Sequence, residues 1–512
     1  MPETIALSVD GRPVTVPAES MVSTAVLVSG AKWFRKSVTG ERRGPLCGMG
    51  ICFECRVTID GESHSRSCQV PCRNGMDVRT GSTEYRVQPA GSVRTSAPCD
   101  VLVVGAGPAG LAAACSAAQS GARVTIVDDN PGPGGQIWRG EERAPGTPEA
   151  VDWFKRARTA KIEFIYGAKV FDQPEAGLLL TESPAGVSEI GYKKLILATG
   201  AREVFLPFPG WSLPNVCGAG GLQALVKSGL PIKGKRVVVA GTGPLLLAVA
   251  DYLRKHGAEV CLIAEQAPWR RLVPFGWGLL RSAGKTAQAI KLRRSLSGVR
   301  YLTGCWPVAA EGDGELSAVT MRQGSKTWNV ACEYLACGFH LVPNLEVAGL
   351  LGCEFVDNTV RVDEFQETSV ANIYCAGEAT GIGGLELSLL EGQIAGYAAT
   401  DRPDLARHHL GARKRLRRFA ALLNRTFALR DELKRLARPE TFVCRCEDVT
   451  WERLKTQPGW RAAKLHTRCG MGPCQGRICG PATEFLFDWR VESIRPPVFP
   501  VRVDSLAHRD VA

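Results

Sequence analysis

VLVVGAGPAG, residues Val101 to Gly110, is an apolar run that ends in three glycines spaced G-x-G-x-x-G and passes into an Ala-rich segment, LAAACSAAQSGA. Strand, glycine turn and helix in that order form the dinucleotide-binding context. Gly105 makes the tight turn, Gly107 lets backbone approach a pyrophosphate, and Gly110 lets helix pack on strand. The helix N-terminus offers free N–H groups to the anion. A second strand, RVTIVD, ends in Asp128, 18 residues after Gly110, where an acid takes ribose hydroxyls and disfavours a 2′-phosphate.

Two further stretches belong with this unit. PGPGGQIW places Gly134, Gly135 and Gln136 in a loop able to pass under a flavin, and KLILATGAR ends in the Thr199-Gly200 turn that returns the chain to the nucleotide fold. Near residue 370, VANIYCAGEATGIGGLELSLLEGQIAG reads as strand, Gly377-Glu378, glycine loop and helix, which can cap the ribityl and pyrophosphate part of FAD. FAD is therefore the expected ligand of the first unit.

The motif repeats. KRVVVAGTGPLLLAVADYLRKHGAEVCLIAE places Gly241 and Gly243 136 residues after Gly105 and Gly107, with Glu265 closing its second strand. Leu246 stands where the third glycine would be, and a bulky side chain there crowds helix against strand. NAD binding and a nucleotide-free domain stay open as alternatives, and Arg270 and Arg271 can hold some other phosphate.

At 512 residues and 45% apolar content the chain can bury several cores. It has no apolar run long enough for a membrane span, and MPETIALSVDG lacks the basic and apolar regions of a secretory signal. Nineteen cysteines, many in tight groups at the two ends of a large chain, argue for metal or cluster ligation in a reducing cytosol. Of the net charge of +12, much lies in residues 401–440, with twelve Arg or Lys against five Asp or Glu. Leu416, Phe419, Leu422 or Leu423, and Phe427 recur there at helical spacing, so the segment reads as a helical connector with a solvated basic face. No recognition motif accompanies it, so nucleic acid is not an expected partner; an acidic protein surface suits that face better.

At the N-terminus, residues 4–16 read as a hairpin with an Asp10-Gly11 turn, and a short helix is expected from Thr24 to Ser29. Then Cys47, Cys52, Cys55 and Cys68 follow the spacing C-x4-C-x2-C-x12-C. The first three match the plant-type 2Fe-2S run, in which Gly48 and Gly50 let the loop fold over the cluster. Zinc also suits four thiolates but usually takes C-x2-C pairs. Cys72 is close enough in sequence to compete with Cys68. Pro, Gly and Ser punctuate residues 86–99, which read as a linker.

The C-terminal part carries Cys444-x-Cys446 and then Cys469, Cys474 and Cys479, with four residues between successive members. This run resembles the bacterioferritin-associated ferredoxin domain, a small helical 2Fe-2S module. In related flavoproteins it reads G-M-G-x-C-Q-G-x-x-C, which falls on Gly470 to Cys479. The resemblance implies Cys444, Cys446, Cys474 and Cys479 as ligands and leaves Cys469 as a neighbour; zinc is the alternative here too.

The nucleotide stretches together resemble the flavoprotein family of glutathione and thioredoxin reductases, although no redox cysteine pair lies near Gly134 to Arg139 or in the second nucleotide domain, so disulfide reduction is not expected. With both cysteine groups, nearly the whole chain resembles the α subunit of bacterial amine and imino-acid dehydrogenases. That group includes opine oxidase, hydrogen cyanide synthase, proline or D-hydroxyproline dehydrogenase and, more distantly, heterotetrameric sarcosine oxidase. The resemblance implies an α/β fold with two Rossmann-like domains, an N-terminal β-grasp ferredoxin domain and a C-terminal helical 2Fe-2S domain. The expected division is 1–90 for the ferredoxin, 99–225 and 340–400 for the FAD domain, 226–339 for the NAD-like domain, 401–440 for the connector and 441–500 for the second cluster domain. It further implies a β-type partner, an FAD-dependent amine or amino-acid oxidase-like chain that oxidises a C–N bond. This chain would carry the electrons to an external acceptor, a quinone or a carrier, and the resemblance leaves room for an FMN held between subunits. The expected location is cytoplasmic, with any membrane association made through the complex.

The seven histidines are scattered and no nucleophile–base arrangement stands out, so no catalytic residue is assigned. The alternative function is a self-sufficient NADH-dependent flavoprotein reductase with 2Fe-2S clusters; Leu246 counts against it.

Overall fold

In a computed structural model the chain is described at residues 3–81, 94–142, 146–279, 283–491 and 493–507. It forms two compact units: one of residues 1–87, 203–340 and 422–491, the other of 88–202, 341–421 and 492–512.

The second of these holds the quoted stretch. Strand Arg94–Val104 lies between Val124–Asp128 and Gly186–Leu197, with Glu163–Tyr166 and Ile373–Cys375 at the two flanks, all parallel. Val101 and Val103 enter one core with Leu111 and Ile126, whereas Leu102 and Val104 enter another with Leu195 and Leu197. Burial on both faces is why this strand is apolar without alternation. Helix Pro108–Gln119 packs against helix Leu385–Ala398. Gly186–Leu197 also pairs, antiparallel, with Leu178–Ser183, which pairs with Lys169–Glu175. The linker expected over 86–99 lies outside the described residues as far as 93; from Arg94 onward it is strand, because Gly186–Leu197 is long enough to pair with it.

In the first unit a five-stranded sheet runs in the order Arg12–Pro17, Thr4–Val9, Asp77–Arg79, Arg56–Ile59, Glu62–Arg66. Helix Val22–Val28 covers it, burying Val22, Ala25 and Val26 against Leu7, Val9, Val57 and Val78. The hairpin expected from Asp10-Gly11 is present in register. A parallel sheet follows in the order Val216–Cys217, Tyr334–Phe339, Arg236–Thr242, Glu259–Glu265, Tyr301–Thr303, backed by helices Ala219–Lys227 and Leu245–Lys255. Residues 203–225, read from sequence with the first nucleotide domain, group with this second one, since Val216–Cys217 pairs with Tyr334–Phe339. The C-terminal module is a two-stranded ribbon, Phe442–Cys444 and Val449–Thr450, with helices Trp451–Lys455, Trp460–Thr467 and Cys479–Phe487.

The basic connector is helical over Pro403–Thr426. Its face is not wholly solvated: Arg417 and Arg413 turn onto the carboxylate of Glu391, which has no exposed side-chain surface, at 2.7 and 3.5 Å.

Candidate redox-cofactor sites

The glycine turn is built as the motif requires. Gly105 has φ +110°, and a Cβ on Gly110 would run into the Gly105 carbonyl oxygen. At Gly107 the situation differs: its backbone is extended (φ −72°, ψ −179°), and a Cβ there would meet only Gly135 Cα, at 3.9 Å. The space over Gly107 is thus an open cradle at the N-terminus of Pro108–Gln119, with Gly135 across it. The loop carrying Gly135 is tied down by Gly134 N–H donating to the Ala106 carbonyl at 2.8 Å and by Arg139 donating to Gln136 Oε1 at 2.9 Å. A pyrophosphate fits this cradle, which is the test a dinucleotide cofactor must meet.

Asp128 lies at the end of its strand and is buried. It accepts N–H bonds from Ala106 (2.5 Å) and Asn130 (2.7 Å), and burial, followed by the charge of Asp129, pushes its carboxyl up to about 6. Thr199 and Asn344 lock the returning turn: Thr199 Oγ1 donates to the Asn344 carbonyl at 2.7 Å and Asn344 Nδ2 donates to the Thr199 carbonyl at 2.9 Å. Gly200 follows with φ +67°. Gly377 opens a turn whose Glu378 carboxylate accepts from Gly384 N–H (2.8 Å) and Gly383 N–H (3.1 Å); burial raises that carboxyl to about 7. Glu391, not singled out from sequence, accepts from Gly377 N–H (3.2 Å) and the Thr380 hydroxyl (2.8 Å) and is held by Arg417. All eleven residues expected around FAD therefore fall in the same unit.

In the N-terminal cysteine loop the sulfurs stand in pairs. Cys47 Sγ and Cys52 Sγ are 3.2 Å apart, and the Cys55 and Cys68 thiols are hydrogen-bonded to each other. Backbone N–H groups of Met49 and Cys52 point at Cys47 Sγ (3.4 Å each), and that of Glu54 points at Cys52 Sγ (3.5 Å). Two thiolate pairs with amides aimed at sulfur fit a 2Fe-2S cluster, which takes two cysteines on each iron. Cys72 is also buried, which pushes its thiol up to about 11.

In the C-terminal module Cys446 pairs with Cys474, while the sulfurs of Cys444, Cys469 and Cys479 all lie within 4.8 Å of one another. The structure thus brings Cys444, Cys446, Cys474 and Cys479 together and adds Cys469 on the same footing as Cys479. Gly472 packs on Cys446, where a Cβ would sit 3.2 Å from its sulfur.

In the second nucleotide fold, Glu265 is buried and accepts from Thr242 Oγ1 (2.9 Å), Gly243 N–H (2.7 Å) and Ala267 N–H (2.8 Å); burial raises its carboxyl to about 7. A segment of the chain itself lies at the ends of these strands. The Phe427 carbonyl accepts from Thr242 Oγ1 (3.1 Å) and Gln266 Nε2 (3.4 Å), and the Ala428 carbonyl accepts from Arg271 (3.0 Å). The Phe427 ring is buried edge-on against Phe275 at 5.2 Å. Arg271, expected to be available to a phosphate, is thus bonded to this segment.

Folds and sites together define a flavin oxidoreductase with a 2Fe-2S domain. Residues 99–408 match the pyridine nucleotide-disulphide oxidoreductase family, which implies FAD, and residues 2–83 match the 2Fe-2S iron-sulfur cluster binding domain. A subunit of opine oxidase from Agrobacterium tumefaciens (strain Ach5) is 31% identical over 487 residues, covering 80% of this chain and 91% of that protein. The HcnB subunit of hydrogen cyanide synthase from Pseudomonas aeruginosa is 31% identical over 418 residues, covering 74% and 90%. The chain belongs to the pyridine nucleotide-disulphide oxidoreductases and, within them, to the family formed by HcnB and this opine oxidase polypeptide. The solved L-proline dehydrogenase of P. horikoshii shares the fold over 99% of this chain and 98% of its own, with a TM-score of 0.72 at 18% identity. The expected family, fold class and oxidoreductase character are thus borne out. Among the described residues no helix is long and apolar enough to cross a membrane.

Proposed function

We propose that this chain is the electron-transfer subunit of a hetero-oligomeric amine or imino-acid dehydrogenase of the opine, hydroxyproline, proline or glycine type. A β-type, FAD-dependent amine or amino-acid oxidase-like partner oxidises the C–N bond, and this chain passes the electrons to an external acceptor, a quinone or a carrier. The reading includes a second 2Fe-2S cluster on Cys444, Cys446, Cys474 and Cys479, an FMN between subunits, and a cytoplasmic complex. The observation that carries it is the pairing of sulfurs in two separate cysteine groups of one unit, beside a chain that also holds an FAD cradle. That the relatives are named as subunits supports the partner.

FAD and the clusters, when bound, store and pass the electrons; the protein positions them and sets their potentials. The Gly107 cradle and the N-terminus of Pro108–Gln119 hold the pyrophosphate, Asp128 orients the ribose side, and Glu378 and Glu391 fix the Gly377 turn. The amides of Met49, Cys52 and Glu54 lower the negative charge felt at the cluster thiolates. The alternative, an NADH-dependent reductase, is disfavoured by the Phe427 carbonyl at the strand ends where a nicotinamide nucleotide would bind, and by Leu246, which is 1% exposed.

The test is reconstitution. The purified chain alone should oxidise neither proline, sarcosine nor an opine. With a copurifying flavoprotein partner, the substrate of the complex should bleach the FAD and clusters of this chain. Turnover by the single chain, with mass spectrometry showing no second polypeptide, overturns the proposal.

A further inference from the structure

Between Cys52 and Cys55 lies Glu54, and between Cys444 and Cys446 lies Arg445. Although 391 positions apart, their side chains meet: Arg445 Nε donates to Glu54 Oε1 at 2.9 Å, with 2% and 1% of the two side chains exposed. Arg35 clamps both ends. Its Nε donates to Glu54 Oε2 at 3.1 Å, and its Nη2 donates to the carbonyl of Arg445 at 3.2 Å. Arg445 is further fixed by donating to the Trp211 carbonyl at 3.0 Å, with its guanidinium 5.0 Å from the Trp211 ring. Beside this, Arg43 pairs with Asp448 at 2.6 Å, both fully enclosed.

A buried ion pair is weak evidence for stability, because desolvation offsets its attraction and an apolar pair of similar volume often serves as well. Its place needs another explanation. Here three buried arginines (Arg35, Arg43, Arg445) face two buried carboxylates (Glu54, Asp448), so the enclosed network carries an excess of positive charge between two thiolate-rich loops. Arg445 Nη2 is buried with no acceptor among the described residues, a costly state unless some other group accepts its N–H. Cluster sulfide and thiolate are acceptors of that kind, and each cluster gains a negative charge on reduction.

We propose that the Glu54–Arg445 pair, clamped by Arg35, joins the two cluster loops into one intramolecular electron path, so that an electron received at one cluster passes to the other inside this chain. One reduced cluster loses a single electron and the other, oxidised, gains it; no bond forms or breaks and no proton moves. The electron enters from the flavin side of the complex and leaves to its external acceptor. The inference rests on the proposed second cluster, and Glu54 and Arg445 act as positioning residues.

The experiment uses the full-length protein purified anaerobically, with iron counted and dithionite as reductant. The wild type should hold about four irons per chain. Its paramagnetic resonance signals should split or broaden when both clusters are reduced and be simple when one is. Glu54→Gln with iron retained should raise both midpoint potentials together, since one buried negative charge is removed from a site both clusters share. Should that variant lose iron, Glu54→Leu with Arg445→Met, which removes the pair without changing net charge, should keep four irons and slow electron redistribution after a substoichiometric pulse of dithionite. Four irons with two independent signals in the wild type, a shift of one potential only, or unchanged redistribution in the double variant overturns the joint alone. Two irons per chain, or zinc in the C-terminal module, overturns the second cluster and the joint with it.

Discussion

Gly107→Val separates the cofactor's needs from the fold's. The backbone at Gly107 is extended, a conformation valine adopts freely, and its Cβ would meet only Gly135 Cα at 3.9 Å. The apoprotein should therefore lose no more than about 1 kcal/mol, the cost of a poorer residue at a helix N-cap. The cofactor loses far more, because the added methyl groups stand where the pyrophosphate must approach the N-terminus of Pro108–Gln119. Losing one charge-assisted hydrogen bond costs about 1.5–3 kcal/mol, and holding the anion off the helix terminus about 0.5–1 more. A total of about 3 kcal/mol weakens FAD binding roughly 100-fold. The assay has two arms: titration of deflavinated protein with FAD followed by flavin fluorescence, and thermal unfolding of the same protein without FAD. Gly110→Val is the contrast, since its Cβ would strike the Gly105 carbonyl and so should lower apoprotein stability and FAD binding together. Wild-type FAD affinity in a folded Gly107→Val protein would refute the placement of the pyrophosphate.

Other consequences are as direct. Cys68→Ser should lose the N-terminal cluster while Cys72→Ser keeps it, read by iron content and visible absorbance, because only Cys68 is bonded to Cys55. Cys474→Ser should lose the C-terminal cluster and Cys469→Ser retain it; equal loss would show that Cys469 belongs to the ligand set. Glu265, raised by burial from 4.5 to about 7, holds its proton in the folded state at pH values where the unfolded chain has released it. Its contribution is complete below about pH 4.5 and lost as pH rises through 7, so urea unfolding should show roughly 3 kcal/mol less stability at pH 8 than at pH 5 from this group. Glu265→Gln should flatten that dependence, and an unchanged slope would place the titration elsewhere.

Where a residue's role follows from chain-local geometry, the sequence was a sufficient guide. The buried apolar strand Val101–Val104 and the turn at Gly105 are local, and the structure shows both; in the C-x4-C-x2-C loop, also local, Cys47 and Cys52 stand as a pair. Cys68 over Cys72 is nearly so, since the 3-10 turn Ser67–Gln69 carries Cys68 back to Cys55. The C-terminal group is where spacing fails. Cys469, Cys474 and Cys479 repeat at equal intervals, and the turns before and between them, with Arg468 and Gln475 left-handed at φ +68° and +49°, decide which sulfur meets which. Longer-range pairs had no legible signal. An acid inside one cysteine loop and an arginine inside another are each unremarked alone, and nothing in their spacing says that they touch.

The second nucleotide fold shows why a motif needs its surroundings. Its closing acid behaves much like that of the first: Asp128 accepts the Ala106 N–H and Glu265 accepts the Gly243 N–H, so the acid does not separate a cofactor site from an inherited one. Nor does the glycine itself, since a Cβ on Gly243 would meet nothing within 4 Å. What differs is the strand ends, which in open α/β sheets form the ligand crevice. In the first fold the Gly135 backbone leaves space over Gly107. In the second, the Phe427 carbonyl accepts from Gln266 Nε2 and shares the Thr242 hydroxyl proton with Glu265, and the Phe427 side chain is buried. A nucleotide that displaced this segment would break those bonds and expose that ring, at a cost of about 1.5–3 kcal/mol for the apolar surface. The strand ends of the repeat thus hold Phe427 and Ala428, a short way before the C-terminal cysteines.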